Sequence, residues 1–245
     1  MRLILSCLFF SFISSTLFAQ ISDSSAEIDS TEQRIEQPTK EPRVPKSFYI
    51  PTGIRIGTDV VALGVNTFGN NRQRYEVQAD VDFHRIYLAG SYGINQYQTS
   101  GDGFNYSNDG NYFRIGLDAD FLKFDPDHNT LTFGLRYARA KFSETLTTDM
   151  VSPVYGPYEE NLTNDAVRAR WFEMTTGLRV MVLQNLYMGY TFRIQLNRRI
   201  FDSENFRTYD VPGFGRAEFN NRWTFNYYLV YRIAWREKQV MEKSR

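Results

Sequence analysis

Residues 223–235 read Trp-Thr-Phe-Asn-Tyr-Tyr-Leu-Val-Tyr-Arg-Ile-Ala-Trp, and this stretch decides the fold. Every odd position from Trp223 to Trp235 is apolar or aromatic, whereas the even positions are mostly smaller or polar. Because side chains alternate between the two faces of a strand, the pattern predicts one apolar and one mostly polar face. A tilted strand of this length spans about 30 Å, the thickness of a bilayer core, and a Trp suits each membrane interface.

The same alternation recurs in seven further stretches, at 52–62, 73–83, 85–97, 111–122, 129–142, 167–182 and 186–197. Long connections alternate with short ones: 63–72, 98–110, 143–166 and 198–222 are long, and His84, 125–128 and 184–185 mark the short ones. Long extracellular loops and short periplasmic turns are typical of outer-membrane barrels. A sheet edge in lipid would leave backbone groups unpaired. The sequence therefore predicts an all-β, closed antiparallel up-and-down transmembrane β-barrel of about eight strands.

The two ends of the chain differ in character from the alternating region. Arg2 and the apolar run that ends at Ala19 predict a secretory signal peptide. The Ser-, Glu-, Thr- and Pro-rich segment that follows has too little apolar area to fold, and predicts disorder. We expect a signal peptide, a disordered periplasmic lead-in, the barrel and a polar C-terminal tail at 1–19, 20–47, 48–236 and 237–245.

Composition excludes several classes of function. The chain of 245 residues has 28 basic and 28 acidic side chains, so it lacks the positive excess of a nucleic-acid binder. Its one cysteine, Cys7, lies in the predicted leader, which leaves the mature chain without a disulfide or a thiol nucleophile. We therefore expect an exported protein with no nucleic-acid partner.

Alternation alone leaves open which face lines the interior. A soluble barrel that carries an apolar ligand has its apolar face inside, whereas a membrane barrel has it outside. Strand length, aromatic strand ends, loop asymmetry and export favour the membrane arrangement, in which the polar face forms a charge network that must pair internally. Such a network is either a charge-paired plug or a proton or ion path. Its predicted members are Arg55, Asp59, Glu76, Asp80, Asp82, Arg114, Asp118, Asp120, Arg136, Glu173, Arg179, Arg193 and Arg232.

Residue types that often carry catalysis or bind metals are sparse. Both histidines, His84 and His128, fall in predicted periplasmic turns, whereas a lipid-modifying enzyme with a Ser-His pair needs it at the outer rim. Neither a Gly-x-Ser-x-Gly elbow nor a His-Glu-x-x-His zinc motif occurs. The Asp-Pro-Asp-His sequence at 125–128 lacks the spacing of a calcium loop and is an ordinary turn. We expect no catalytic, cofactor-binding or metal-binding residues.

Four cations form a candidate binding site. Arg139 and Lys141 fall on the outward face near the top of the fifth predicted strand, and Arg168 and Arg170 on that of the sixth. The hairpin brings them together at the outer leaflet, where lipopolysaccharide carries phosphates that Arg and Lys bind. The alternative is that these charges mark a solvent-exposed extension of the hairpin.

The two longest predicted connections, 143–166 and 198–222, are rich in aromatic residues. Such loops either form a recognition surface for a partner protein or glycan, or pack together and cover the barrel. The aromatic residues are Tyr155, Tyr158, Phe201, Phe206, Tyr209 and Phe214.

Several short motifs resemble an uncharacterised family of small outer-membrane β-barrel proteins of the Bacteroidota. They are Gly-Ile-Arg-Ile-Gly-Thr-Asp at 53–59, Arg-Ile-Tyr-Leu-Ala-Gly at 85–90, Asn-Tyr-Phe-Arg-Ile-Gly-Leu-Asp at 111–118, Gly-Leu-Arg-Tyr at 134–137, Gly-Leu-Arg-Val at 177–180 and Pro-Gly-Phe-Gly at 212–215. The resemblance covers about 48–236. It implies a fold and a location but no reaction.

These expectations converge on a non-enzymatic integral protein of the cell outer membrane with an envelope-structural or surface-binding role. Its expected partners are outer-membrane lipid and lipopolysaccharide, together with the barrel-assembly machinery during biogenesis. An outer-membrane lipid-modifying enzyme and a soluble periplasmic carrier of an apolar ligand remain the alternatives.

Overall fold

The computed structural model of the chain describes residues 50–68, 71–83, 85–122, 125, 127–152 and 156–236. The predicted signal peptide, lead-in and C-terminal tail lie outside the described residues, as do His84 and Tyr155. Within these ranges, no helix has the length and apolar character needed to cross a membrane.

The described residues form ten strands and one helix. These are β1 (Gly53–Asp59), α1 (Val60–Phe68), β2 (Arg72–Phe83), β3 (Ile86–Gly101), β4 (Phe104–Asp120), β5 (Thr130–Ser152), β6 (Gly156–Leu183), β7 (Leu186–Phe201), β8 (Asp210–Val211), β9 (Gly215–Arg216) and β10 (Arg222–Ala234). Eight of the strands close into a barrel in the order β1-β10-β7-β6-β5-β4-β3-β2, whereas β8 and β9 pair only with each other. The predicted all-β antiparallel sheet that closes into a ring is confirmed.

The barrel closes where its first and last strands meet. β10 pairs with β1 along the whole length of β1, and with β7 on its other side. Both tryptophans of the stretch that decides the fold point outward, one at each end of β10. The Trp235 indole N–H donates to the Pro51 carbonyl at 2.9 Å, and the Trp223 ring stacks on Phe192 at a centroid distance of 6.1 Å.

The barrel has an apolar outer face and a polar inner face, which is the reverse of the arrangement in a soluble protein. Large apolar side chains face outward; Leu135 and Trp223 are 68% and 69% exposed. The buried face is charged and polar, with arginine, aspartate and glutamate side chains from most of the barrel strands. Exposed apolar side chains are unfavourable in water, and buried charges are unfavourable without partners. This distribution therefore needs an apolar environment around the barrel, and ion pairs or hydrogen bonds inside it.

A helix replaces part of the connection that the sequence predicted at 63–72. β1 ends at Asp59, not at 62, and α1 follows at once. The Asp59 carboxylate accepts hydrogen bonds from the backbone N–H groups of Val61 and Ala62, both at 3.1 Å. It therefore caps the first turn of α1, whose amides have no partner within the helix. The alternating pattern that continues past Asp59 hid this signal.

Two more predicted connections are largely strand. β3 and β4 continue to Gly101 and Phe104, and β5 and β6 continue to Ser152 and Gly156. The predictions of loops at 98–110 and 143–166 were therefore wrong over most of their length. These hairpin ends need no apolar face, because ladder pairing alone satisfies their backbone groups.

The cap at Asp59 gives a first testable prediction. Asp59→Ala removes the acceptor for two helix amides, whereas Asp59→Asn keeps a good capping oxygen. Both variants remove the charge that lies 2.8 Å from Arg74. We expect the free energy of unfolding of Asp59→Ala to be about 1 kcal/mol lower than that of Asp59→Asn, measured by urea titration with tryptophan fluorescence. Equal losses in the two variants would contradict the capping role.

Candidate functional site

Four charged side chains from four strands meet inside the barrel. Glu76 (β2), Arg114 (β4), Glu173 (β6) and Arg193 (β7) form what we call the central ion quartet. Arg114 lies 3.0 Å from one carboxylate and 2.9 Å from the other, and Arg193 lies 3.5 Å from each. All four are at most 3% exposed. Because β2 and β6 lie on opposite sides of the ring, the quartet ties opposite walls together.

Neutral donors also bond to the two carboxylates of the quartet. The Tyr112 and Tyr228 hydroxyls each donate to Glu76 at 2.7 Å. The Trp171 indole N–H and the Gln195 amide donate to the other carboxylate at 2.7 and 3.0 Å. Such bonds are what a buried carboxylate needs in place of water. Sequence reasoning missed these four residues, although each lies on the inward face of its strand and the alternation alone could have found it.

Two further ion pairs lie in the barrel interior. Arg55 contacts Asp80 at 2.5 Å across β1 and β2, and Arg136 contacts Asp118 at 2.5 Å across β5 and β4. The Asp118 carboxylate receives both Nε and Nη2 of its partner, at 3.3 and 2.5 Å. These pairs join neighbouring strands, unlike the quartet.

Of the other predicted luminal charges, Asp59 pairs with Arg74, and several bond to neutral groups. Asp82 accepts from the Thr52 backbone N–H at 2.7 Å and from its hydroxyl at 2.5 Å. Arg179 donates to the Tyr190 carbonyl at 2.6 Å and the Thr191 hydroxyl at 2.8 Å. The remaining members lie near strand ends, where they bond to the α1 amides, the Leu122 amide and the Thr52 hydroxyl; they are Asp59, Asp120 and Arg232.

The predicted connection 198–222 does not form the exposed loop that the sequence indicated. Its segment 208–217, which we call the plug, enters the barrel mouth as the β8–β9 hairpin and buries Val211 and Phe214. Small inward residues, Ala138 and Ala140 among them, leave the room that it occupies. The Phe214 ring meets Trp171 edge-on at a centroid distance of 5.6 Å. Of the two alternatives for this segment, the structure shows the one that covers the barrel.

The tip of the plug is bonded to the quartet. The Gly213 carbonyl accepts from Arg114 Nη2 at 2.8 Å and from the Gln195 amide at 2.9 Å. Gly213 has φ +77°, and a Cβ there would lie 2.6 Å from the Tyr112 ring. Only glycine tolerates both the positive φ and the close approach of the Tyr112 ring. This explains the glycine at 213 in the Pro-Gly-Phe-Gly sequence at 212–215.

Buried polar groups also hold the base of the plug. Arg72 Nη2 lies 2.5 Å from the Asp210 carboxylate, and the Asn108 amide donates to the Asp210 carbonyl at 2.7 Å. Burial raises the pKa of the Asp210 carboxyl above its usual value, although the Arg72 guanidinium lowers it. The Thr208 hydroxyl donates to Glu144 at 2.8 Å. The plug is therefore bonded to the barrel wall at several points.

A pocket of about 320 Å³ remains beside the plug, at the barrel mouth. Arg198 and Arg207 line it, together with Asp202. The Arg198 guanidinium lies over the Phe214 ring at 5.5 Å, and its Nε and Nη1 are buried without a hydrogen-bond partner among the described residues.

The four candidate cations lie together on the outer face, and a fifth joins them. Arg139 is the cross-strand neighbour of Arg170, and Lys141 that of Arg168. Arg199 of β7 is the neighbour of Arg170 on its other side. All five are exposed, and we call them the cation patch.

Sequence reasoning missed Arg199 because a β-bulge changes the alternation of β7. The register with β6 shifts by one residue between Leu196 and Arg199, and Asn197 has φ +54°. Before the bulge, odd-numbered residues face the lumen; after it, Arg198 and Ile200 face inward. A single inserted residue thus re-aims every side chain beyond it.

Other candidate catalytic or metal-binding groups are sparse among the described residues. His128 lies in the β4–β5 connection, at the end of the barrel opposite the β5–β6 hairpin tip, with φ +56°. The described ranges contain no group of three or more His, Cys, Asp or Glu side chains placed to hold a metal ion.

The fold and the site define a class: a closed antiparallel barrel with an apolar exterior, an ion-paired interior and a plug. The chain belongs to the family described as "Domain of unknown function (DUF6048)", whose model matches residues 1–238. No curated protein sequence matches it. Among solved structures, it is similar to the crystal structure of Acinetobacter baumannii CarO, with 12% identity, a TM-score of 0.36, and coverage of 76% of this chain and 98% of that one.

The central ion quartet gives a second prediction. Glu173→Gln removes one of its two negative charges while keeping the shape of the side chain, so two buried guanidinium groups share one carboxylate. We expect the free energy of unfolding to fall by about 3 kcal/mol, the lower end of the cost of breaking a buried ion pair, because Glu76 still contacts both arginines. Urea titration followed by tryptophan fluorescence measures the change.

The exposed Arg168–Asp202 pair, 2.6 Å apart, supplies the matched control for that experiment. Asp202→Asn also removes one carboxylate from an ion pair, but in contact with solvent. No measurable loss is expected there. A loss in Glu173→Gln as small as in the control would show that the quartet does not stabilise the barrel.

The plug gives a third prediction. Gly213→Val places a branched side chain against the Tyr112 ring at a positive φ, so we expect the plug to leave the barrel mouth. Limited proteolysis should then cleave 202–221 at least about tenfold faster, since cleavage follows the population of the open form. Gly64→Ala is the control, because a Cβ at Gly64 contacts nothing within 4 Å. Unchanged cleavage in Gly213→Val would contradict the docking described above.

Proposed function

We propose that the protein is a non-enzymatic integral barrel of the outer membrane, closed to solute flow, with an envelope-structural or surface-binding role. The observation that carries this proposal is the inverted polarity of the barrel, with apolar side chains outside and ion pairs inside. Water around the barrel would disfavour the apolar outer face, whereas lipid favours it. The predicted signal peptide supports export, and β10 is the strand that the assembly machinery would recognise.

Two separate features, one behind the other along the barrel axis, close the interior. The central ion quartet spans the barrel directly below the plug, and the plug fills the mouth above it. A conducting pore needs a continuous path of water, and both features occupy that path. A structural or binding role therefore suits the protein better than transport through the lumen, and the proton or ion path becomes the weaker alternative.

The same interior argues against the other two alternatives. A soluble carrier of an apolar ligand needs an apolar cavity, but charged and polar side chains and the plug fill the interior of this barrel. A lipid-modifying enzyme needs a nucleophile and a base at the outer rim. His128 lies at the other end of the barrel, in the β4–β5 connection.

The long β5–β6 hairpin supports the surface-binding part of the role. Beyond the bulge at Phe142–Glu144, the strands extend to Ser152 and Gly156. At about 3.4 Å per residue the hairpin extends roughly 30 Å along its strands beyond the bulge. A long paired extension on a rigid barrel suits contact with a partner at the cell surface.

Membrane insertion is tested by a charge on the outer face. Leu135 lies midway along the outward apolar row of β5, so Leu135→Arg should destabilise a membrane-inserted barrel by about 2–4 kcal/mol. The measurement is the fraction that folds into phosphatidylcholine vesicles, scored by heat-modifiable gel migration. Thr145→Arg, on the extension of the same strand, is the matched control and should insert as the wild type does.

Two results would overturn the proposal. One is recovery of the wild-type protein from the soluble periplasmic fraction without detergent. The other is equal insertion of Leu135→Arg and the wild type, because an outer face that tolerates a midplane charge is not in contact with lipid.

A further inference from the structure

We propose that the cation patch is a binding site for the phosphate groups of an outer-leaflet lipid, with lipopolysaccharide as the occupant. This inference rests on the proposed membrane orientation and deepens it, because it assigns one lipid class to one face of the barrel. Five side chains carry the site: Arg139, Lys141, Arg168, Arg170 and Arg199.

The height of the patch fits a lipid head group. On β5 the outward row passes from Leu135 through Tyr137 to Arg139, and on β6 Phe172 is followed by Arg170. The first tier of cations therefore begins where the apolar band ends. The second tier, two residues further along each strand, lies about 7 Å higher. Cations in this position meet lipid phosphates, whereas their neighbours below meet acyl chains.

The electrostatics of the patch call for an external anion. Three cross-strand neighbour pairs within it join two cations, and like charges directly opposite each other destabilise a sheet. The one carboxylate in contact with the patch is Asp202, which lies 2.6 Å from Arg168. The other four cations have no acidic partner among the described residues. The chain as a whole has equal numbers of acidic and basic residues, so this imbalance is local.

The shape of the patch favours a group with several phosphates. Neighbouring strands lie about 4.8 Å apart, so the row Arg139–Arg170–Arg199 is about 10 Å wide. A single phosphate would have to draw the three side chains to one point, whereas a lipid with more than one phosphate can contact them along the whole row. The planar guanidinium binds phosphate through two parallel hydrogen bonds. Arg170 is also held in place, because its guanidinium lies over the Phe201 ring at 4.9 Å.

The experiment compares two triple variants that remove the same charge. The patch variant carries Arg139→Gln, Arg170→Gln and Arg199→Gln. The control carries Arg198→Gln, Arg207→Gln and Arg216→Gln, which line the mouth pocket or lie in the plug. Each protein is folded into phosphatidylcholine vesicles, and its affinity for fluorescently labelled lipopolysaccharide is measured.

We expect the patch variant to bind lipopolysaccharide at least about 100-fold more weakly than the wild type, since each charge-assisted hydrogen bond contributes about tenfold or more. The control should keep wild-type affinity within about threefold, because its three arginines lie in the mouth pocket and the plug and not on the outer face. Enzymatically dephosphorylated lipopolysaccharide should bind the wild type as weakly as the intact lipid binds the patch variant. Millimolar inorganic phosphate should not displace the lipid.

Each contrary result has a defined meaning. Equal losses in both triple variants would overturn the site in favour of general attraction between charges. Full displacement by inorganic phosphate would assign the patch to free phosphate instead of a lipid. If the patch variant migrates as a folded barrel and binds like the wild type, the lipid site is wrong while the membrane barrel stands. If the wild type does not insert into vesicles, both proposals fail.

Where the triple variant does not fold, Arg139→Lys with Arg170→Lys and Arg199→Lys replaces it. This variant keeps all the charge and loses the paired hydrogen bonds of the guanidinium groups. We expect an affinity at least about tenfold below that of the wild type. Unchanged affinity would overturn the specific role of the arginines.

Discussion

A buried charge must find a partner, and the rest of this structure depends on that constraint. The interior holds buried carboxylates and guanidinium groups, and six of the barrel strands place such a charge where another strand supplies the opposite one. The quartet of Glu76, Arg114, Glu173 and Arg193 meets this condition across the whole diameter of the barrel. Replacing ion pairs with well-packed apolar residues often costs nothing in stability. Such a network therefore serves the specificity of strand order and register more than it serves the free energy of folding.

The quartet also explains how the plug is bound. Arg114 has donors left over after its two carboxylates, and one of them bonds to the Gly213 carbonyl. The barrel wall is matched to the plug in shape as well, with Ala138, Ala140 and Ala169 where larger side chains would fill the mouth. Wall and plug thus form one buried unit, in which an apolar cluster lies above a polar one.

The sequence predicted the features that depend on alternation. Strand number and the polar character of one face follow from a period of two, and the alternation of long and short connections predicts the pairing order. The structure places the predicted luminal residues on the buried face or, for Arg232, at its edge. The central pairings could not be predicted, because they join strands that are distant in the chain and at heights set by the stagger of the barrel. Tyr112 and Trp171 could have been predicted as interior residues, since both lie on the inward face of their strands.

Features that break the alternation, or lie outside it, escaped prediction. The α1 helix begins at a capping aspartate inside an apparent strand. The sequence of the plug predicts a loop, because its apolar residues are buried only when the barrel mouth surrounds them. The extended β5–β6 hairpin lies beyond the apolar band, so its sequence does not alternate between apolar and polar residues. In the plug and the hairpin a contact between distant parts of the chain selects the structure, whereas α1 depends on a local cap that the alternation concealed.

The bulge at Asn197 has a consequence for how the protein tolerates change. It is followed by two arginines, one of which faces the mouth pocket while the other faces outward. If β7 straightened at Asn197 without the loss of a residue, the two arginines would exchange faces, and each face would still carry one positive charge. The adjacent Ile200 and Phe201 would also exchange, one apolar side chain for another. The sequence Arg-Arg-Ile-Phe at 198–201 is therefore nearly invariant under a slip of register by one residue, so straightening of the bulge would not reverse the chemistry of this end of β7.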